Sequence, residues 1–225
     1  MRFLPLLLTS LIGPLGVADG VAAAAKSSAV KVNSEIEQSL KPLRQKDGAA
    51  LRLKKRTTNS LLGREKNSEG RLYYRKGKLR LELKSPEDSL VVLDGKTLWL
   101  VTVLSADMGG KTMVTKTSAR SLKKSSTLMA ALIENQQILK EFNLSERKAT
   151  GDDIHLKFTP KNKDGEIQDL QLWLNPKAGR LKKVLYIDDK ENEVEFELGV
   201  PEVVEGDPAK LFSYTPPKGA EITEF

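Results

Sequence analysis

The sequence predicts a mainly β protein, one antiparallel sheet curved or rolled toward a barrel, with a few short apolar helices. Three observations carry that prediction. Residues Lys78 to Lys84 alternate strictly, with Leu79, Leu81 and Leu83 on one face and Arg80, Glu82 and Lys84 on the other, the period of a half-buried strand. Turn residues recur at short intervals, at Ser85-Pro86, Asp94-Gly95, Gly109-Gly110, Asp164-Gly165 and Asn175 to Gly179. Helical spacing replaces alternation in only two regions, near Ile36 and from Leu128 onward. Such a sheet has one apolar face that needs a cover.

Taken in order, residues 1–25 read as a cleavable export leader. Arg2 supplies a short positive start, Phe3 to Leu15 an apolar stretch, and Val21 to Ala25 small residues suited to cleavage. The alternative, an uncleaved N-terminal anchor, fits less well, because glycines and prolines interrupt the apolar run. No later segment reaches the ~20 apolar residues of a membrane span. A single exported domain is therefore expected over residues 26–225. Lys26 to Lys31 reads as loose chain. Ser34 and Glu37 have capping-box spacing, and Ile36, Leu40 and Leu43 form one face of a helix that Pro42 kinks or ends.

Ala49 to Thr58 alternates as a strand, and Leu61 to Lys66 reads as its hairpin partner. Gly70 to Val103 then reads as four short strands, the last carrying Trp99, with Asp94-Gly95 as a two-residue turn. Thr112 to Thr117 adds a strand, and Arg120 to Ser126 a polar loop. Leu128, Met129, Leu132 and Ile133 form one apolar helical group, and Ile138, Leu139, Phe142 and Leu144 a second. Alternation resumes at Ile154 and continues through Ile167–Leu174, Leu181–Ile187 and Glu193–Val200, an antiparallel meander with short joins.

Composition excludes several functions. With no cysteine and a single histidine, the chain has neither disulfides nor the ligands of a usual transition-metal site, so no cofactor or metal is expected. His155 lies on an Ile-His-Leu-Lys strand, pointing away from the apolar face. The acidic pairs Glu87-Asp88, Asp152-Asp153 and Asp188-Asp189 all fall at turns, where carboxylates serve local hydrogen bonding. No nucleophile elbow or phosphate loop is present, and no catalytic residue is assigned. The net charge of +7 is interleaved along strands, as on a solvated sheet face. Basic doublets lack the interleaved aromatics that stack bases, so no nucleic-acid partner is expected.

Three stretches bring a family into view. The first runs from Gly70-Arg71-Leu72 through Gly77-Lys78-Leu79-Arg80 and Ser85-Pro86 to Leu93-Asp94-Gly95-Lys96-Thr97-Leu98-Trp99. The second is Tyr186-Ile187-Asp188 with Asn192, and the third is Phe212-Ser213-Tyr214-Thr215-Pro216-Pro217-Lys218-Gly219-Ala220-Glu221-Ile222. In this order, after a leader, they resemble the LolA-type periplasmic carriers of outer-membrane lipoproteins over nearly all the expected mature chain.

The resemblance implies an incomplete, half-open antiparallel β-barrel whose hydrophobic cavity is lidded by short α-helices. It implies acylated lipoproteins as cargo, loaded by an inner-membrane lipoprotein-releasing ABC transporter. An outer-membrane receptor lipoprotein then accepts them. The receptor shares the fold but needs a lipidation cysteine, which this chain lacks. A monomer is expected. On this reading Leu79, Leu81, Leu83 and Trp99 line the cavity. Leu128, Met129, Leu132, Ile133, Ile138, Leu139 and Phe142 form its lid. The family also holds its lid with an arginine in the central strands. Where the family has a basic-Pro pair this chain has Arg75-Lys76-Gly77, so the candidate latches are Arg75 first, Lys76 second and Arg80, which matches the Leu-Arg pair. A carrier of another envelope lipid, glycolipid or precursor, stands as the alternative.

Overall fold

Alternating strands and short turns build the frame. The computed structural model describes residues 18–85, 88–118, 128–129, 132–133, 138–204 and 207–225. Helix α1 spans Ala18–Leu40 and runs into a 3-10 turn, Lys41–Arg44. Strands follow as β1 Ala49–Asn59, β2 Arg64–Arg75, β3 Lys78–Lys84, β4 Asp88–Leu93, β5 Thr97–Val103 and β6 Thr112–Ser118. After the short helix α2, Ile138–Glu141, come β7 Phe142–Thr150, β8 Asp153–Pro160, β9 Ile167–Asn175, β10 Arg180–Asp188 and β11 Asn192–Leu198. The chain finishes with β12 Glu202–Val203, helix α3 Pro208–Leu211 and β13 Glu221–Glu224. Leu128, Met129, Leu132 and Ile133 are each helical.

Among the described residues 13 strands join in one sheet, ordered β13-β6-β5-β4-β3-β2-β1-β11-β10-β9-β8-β7, with β12 pairing off this path on β1. Neighbours are antiparallel except β13, which runs parallel to β6. The two edges, β13 and β7, do not pair, so the barrel is unclosed. Near the middle of the sheet, at Gly70, a Cβ would lie 1.7 Å from the Glu82 carbonyl oxygen. Only glycine allows the β2 and β3 backbones to approach so closely.

The register places one apolar set on the inner face. Leu51 and Leu53 of β1, Leu72 of β2, Leu79, Leu81 and Leu83 of β3 and Leu93 of β4 join a continuous core with Phe158, Leu172 and Phe196 of the second half. The core's other wall is helical. Val32, Ile36, Leu40 and Leu43 of α1 and the following turn are at most 2% exposed, so α1 lies inside the hollow against β9 and β10. Among the described residues no helix is long and apolar enough to cross a membrane.

Several expectations change. Lys26 to Lys31 is helical, because α1 begins well before Ser34 and continues through the Ala22–Ala25 run, whose residues are the strongest helix formers. Ser34 is therefore mid-helix, accepting from the Gln38 amide 3.1 Å away, instead of capping a start. Leu61 and Leu62 belong to the exposed β1–β2 turn, and the partner strand starts at Arg64. Across β4–β5 the two central residues are Gly95-Lys96. Asp94 opens that turn, its carboxylate accepting from the Lys96 and Thr97 amides at 2.8 Å. Phe142 and Leu144 leave the second helical group and begin β7, an edge strand whose exposed polar residues show little alternation. The Arg120–Ser126 loop and residues 1–17 lie outside the described residues.

Candidate functional site

The site is built where the helical residues meet the inner face. Leu128, Met129, Leu132, Ile133 and Ile138 are all buried within the hollow's core, and Leu139 packs half-buried against it. Beneath them lies a cavity of about 300 Å³, lined by Leu128, Leu132, Ile138 and Phe142 on one side and Pro160, Ile167 and Leu170 on the other. Its walls are chiefly apolar, with Lys140, Glu141, Lys161 and Glu166 around it. Apolar clefts lined in this way are complementary in chemistry to hydrocarbon.

Each predicted residue can now be placed. Leu128, Leu132, Ile138 and Phe142 line this cavity; Met129 and Ile133 are buried beside it. Leu79, Leu81 and Leu83 belong to the same continuous core, on the central strands. Trp99 does not. Alternation puts Leu98 and Leu100 inside and Trp99 on the opposite, outer face, where its ring lies 5.5 Å from that of Tyr214 and Lys116 sits over it at 5.6 Å. Phe212, at 2% exposure, marks the C-terminal segment that covers this outer face. Within the Asp-Gly-Lys-Thr-Leu-Trp run, Leu98 thus faces the hollow while Trp99 packs on the C-terminal strap.

The three latch candidates are also misplaced. Arg75 ends β2 on the outer face, and Lys76 is exposed in the following turn. Arg80 is outer-facing too, donating to Glu82 at 2.6 Å and to the Leu211 carbonyl at 3.3 Å, so it holds the C-terminal strap. The helical residues are held from elsewhere. Arg44 donates through Nε to the Ile133 carbonyl and through Nη1 to Glu37. Lys161 donates through Nζ to the Leu139 carbonyl at 2.8 Å. Arg44 closes the 3-10 turn Lys41–Arg44, which carries Pro42 near its start, and this aims its guanidinium at the Ile133 carbonyl. No motif flags it; the sequence signal is only a helix-ending proline followed by arginine.

Two polar devices frame the hollow. Glu35 of α1 accepts two bonds from Arg147 of the edge strand β7, at 2.6 and 2.9 Å, with the carboxylate almost wholly buried. That bidentate pair ties the plugging helix to the open edge of the barrel, and it raises the Arg147 pKa. Tyr186 faces inward, and burial, with a lesser contribution from Asp188, pushes its hydroxyl up to about 12. It is a neutral donor at any physiological pH. His155 stacks on Trp173 at 4.2 Å and bonds Gln171 at 3.0 Å, a sheet-surface arrangement.

The chain is similar to several known proteins. The family model described as outer membrane lipoprotein carrier protein LolA matches residues 52–215. The outer-membrane lipoprotein carrier protein of Chromobacterium violaceum is 27% identical over 92% of this chain and 92% of its own. That of Serratia proteamaculans is 24% identical over 88% of this chain and 85% of its own. Among solved structures, a LolA superfamily protein of Nitrosomonas europaea covers 80% of this chain and 96% of its own, at 13% identity and a TM-score of 0.40.

Proposed function

Because the chain belongs to the outer membrane lipoprotein carrier protein LolA family, we propose that it shields the acyl chains of lipoproteins in its hollow and shuttles them from inner to outer membrane. The observation that carries this reading is the apolar cavity of about 300 Å³ lying directly beneath the helical residues. On this proposal the protein is not an enzyme. It is exported by residues 1–25, works in the periplasm as a single domain over residues 26–225, and acts as a monomer. It receives cargo from an ATP-driven inner-membrane transporter and gives it to an outer-membrane receptor lipoprotein.

The energetics explain why a lid is needed. Three acyl chains of ~16 carbons hide ~45 methylenes at ~0.8 kcal/mol each, a gross term of roughly 35 kcal/mol. Cargo held that firmly would never leave a perfect pocket. In the state described here α1 and the lid residues fill the hollow, and the remaining cavity is at the lower end of the ~300–1,000 Å³ typical of small-ligand sites. Loading three chains therefore requires the helical cover to swing away. The apolar burial that the cover then loses offsets part of the cargo's gain, and this makes release feasible. Met129 supplies an adaptable wall. Arg44 and Lys161 are the latches, each bonding one lid carbonyl through its side chain, so opening costs these two charge-assisted hydrogen bonds.

The test uses a synthetic triacylated lipopeptide and native mass spectrometry. Leu132→Glu places a carboxylate against the cavity, and complex formation is expected to vanish while the circular dichroism of the sheet stays unchanged. Unaltered binding by that variant would overturn the lid assignment.

A further inference from the structure

The inner face is not apolar throughout. Along β1 it carries Leu51 and Leu53 and then Lys55, the next residue of the same alternation. Lys55 is flanked across β2 by Ser68 and across β11 by Phe196, and its ammonium stands 5.8 Å from the Phe196 ring centroid. One step along, Thr57 is flanked by Lys66 of β2 and by Val194 of β11, and Val194 faces Tyr186 of β10. Two lysines, a serine and a neutral phenol thus form a polar collar on the inner face, toward the ends of β1 and β10 where Asn59 and Asp188 lie.

Asp188 acts on the Tyr186 end of the collar, and Lys66 acts on Lys55 at the other. The nearby carboxylates Glu195 and Glu197 alternate to the outer face, where Glu195 is taken by Arg56 at 3.3 Å and Lys183 at 3.1 Å. Among the described residues no carboxylate lies within ion-pair distance of Lys55. Burial, aided by repulsion from Lys66, depresses the Lys55 pKa. A half-buried ammonium facing a ring and another cation is a cost to the empty protein, and an arriving anion relieves it. Next to it begins the apolar floor, Leu53 and Leu83, both buried in the hollow's core.

We propose that this collar is a binding site for anionic amphiphiles, which seat a carboxylate or phosphate at Lys55 with their hydrocarbon tail on the floor of the hollow. The site lies apart from the lid cavity and rests on the reading of the hollow as an acyl-chain compartment. It makes the carrier selective for the charge of a head group as well as for hydrocarbon.

The experiment compares ligands of equal chain length below their aggregation limits: palmitate with hexadecanol, and palmitoyl lysophosphatidylglycerol with palmitoyl lysophosphatidylcholine. Calorimetry is run on the whole protein and on Lys55→Met and Lys55→Arg. Expected is a preference of about tenfold for the net-anionic member, equal to ~1.4 kcal/mol, lost in Lys55→Met and kept in Lys55→Arg. Preference confined to palmitate assigns a free fatty-acid carboxylate, and preference in both pairs assigns the phosphodiester as well. The neutral triacylated lipopeptide is expected to bind all three proteins alike. Lipopeptide binding without any anion preference, or a preference that survives Lys55→Met, overturns the collar site and leaves the carrier reading standing. Failure of every acylated ligand to bind overturns the carrier reading and the collar with it.

Discussion

Arg44 carries the most consequence of any single side chain. Its planar fork spans Glu37 on α1 and the Ile133 carbonyl on the lid. A bond from a charged donor contributes ~1.5–3 kcal/mol, so Arg44→Ala is expected to raise lid opening roughly 10- to 100-fold. Hydrogen exchange at residues 128–142 measures this, and unchanged protection there would show that Arg44 does not hold the lid. Arg44→Lys keeps the charge but lacks the fork, and falls between. Lys55 gives a pH-dependent prediction. Its ammonium is held below the ordinary lysine value of 10.5, by burial first and by Lys66 second. Between the lowered value and 10.5 the unfolded chain binds more protons than the folded one, so this group's contribution to stability rises with pH through that window. Lys55→Met is therefore expected to be more stable than the parent at neutral pH, with the gap closing as pH approaches 10.5 in paired urea unfolding curves. A gap independent of pH would mean that the lysine is fully solvated. The burial of Leu79, Leu81, Leu83, Leu128 and Leu132 was legible in the sequence, because period and apolarity are local. Arg44 was not, since its partner carbonyl is 89 residues away and carbonyls are the same in every residue.

At the scale of elements, the sheet depends on the close crossing at Gly70. Any Cβ there meets the backbone oxygen of Glu82 at 1.7 Å, and backbone cannot rotate aside as a side chain does. Gly70→Ala is expected to cost about 3 kcal/mol or more, at the upper end of overpacking penalties, read as a lowered urea midpoint. A loss within ordinary surface-substitution range would mean that the close approach relaxes. Helix α1 shows the limit of reading by pattern. Its Ile36, Leu40 and Leu43 face was plain from spacing, yet its start was not, because an alanine tract serves a leader and a helix equally. Edge strands were the hardest to see. Residues of β7 are mostly exposed and those of β13 entirely so, and neither shows alternation, since a strand with no buried face has no reason to display it. The parallel return of β13 onto β6 depends on the C-terminal strap, which Trp99, Tyr214 and Arg80 pin to the outer face. Trp99 was misread for a related reason: in a strand apolar on both faces, periodicity does not say which side is the hollow.

The whole molecule is an open-edged barrel filled by its own helices, which on the proposed function it exchanges for hydrocarbon. The core joins strands from both halves of the sheet with Leu128, Met129, Leu132 and Ile133, so the protein is well packed with a modest cavity and not a standing pore. On the proposed function its stability and its capacity oppose each other, with Arg44 and Lys161 setting the balance. The family assignment fits this arrangement, and the direct question is whether acyl chains enter beneath the lid in the cell. A photo-crosslinking amino acid at position 128, on the cavity wall, and a second at position 99, on the outer face, answer it in a single experiment in intact bacteria. Crosslinks from position 128 to acylated lipoproteins, absent from position 99, are the predicted result. Equal crosslinking from both positions, or none from position 128, would contradict the account.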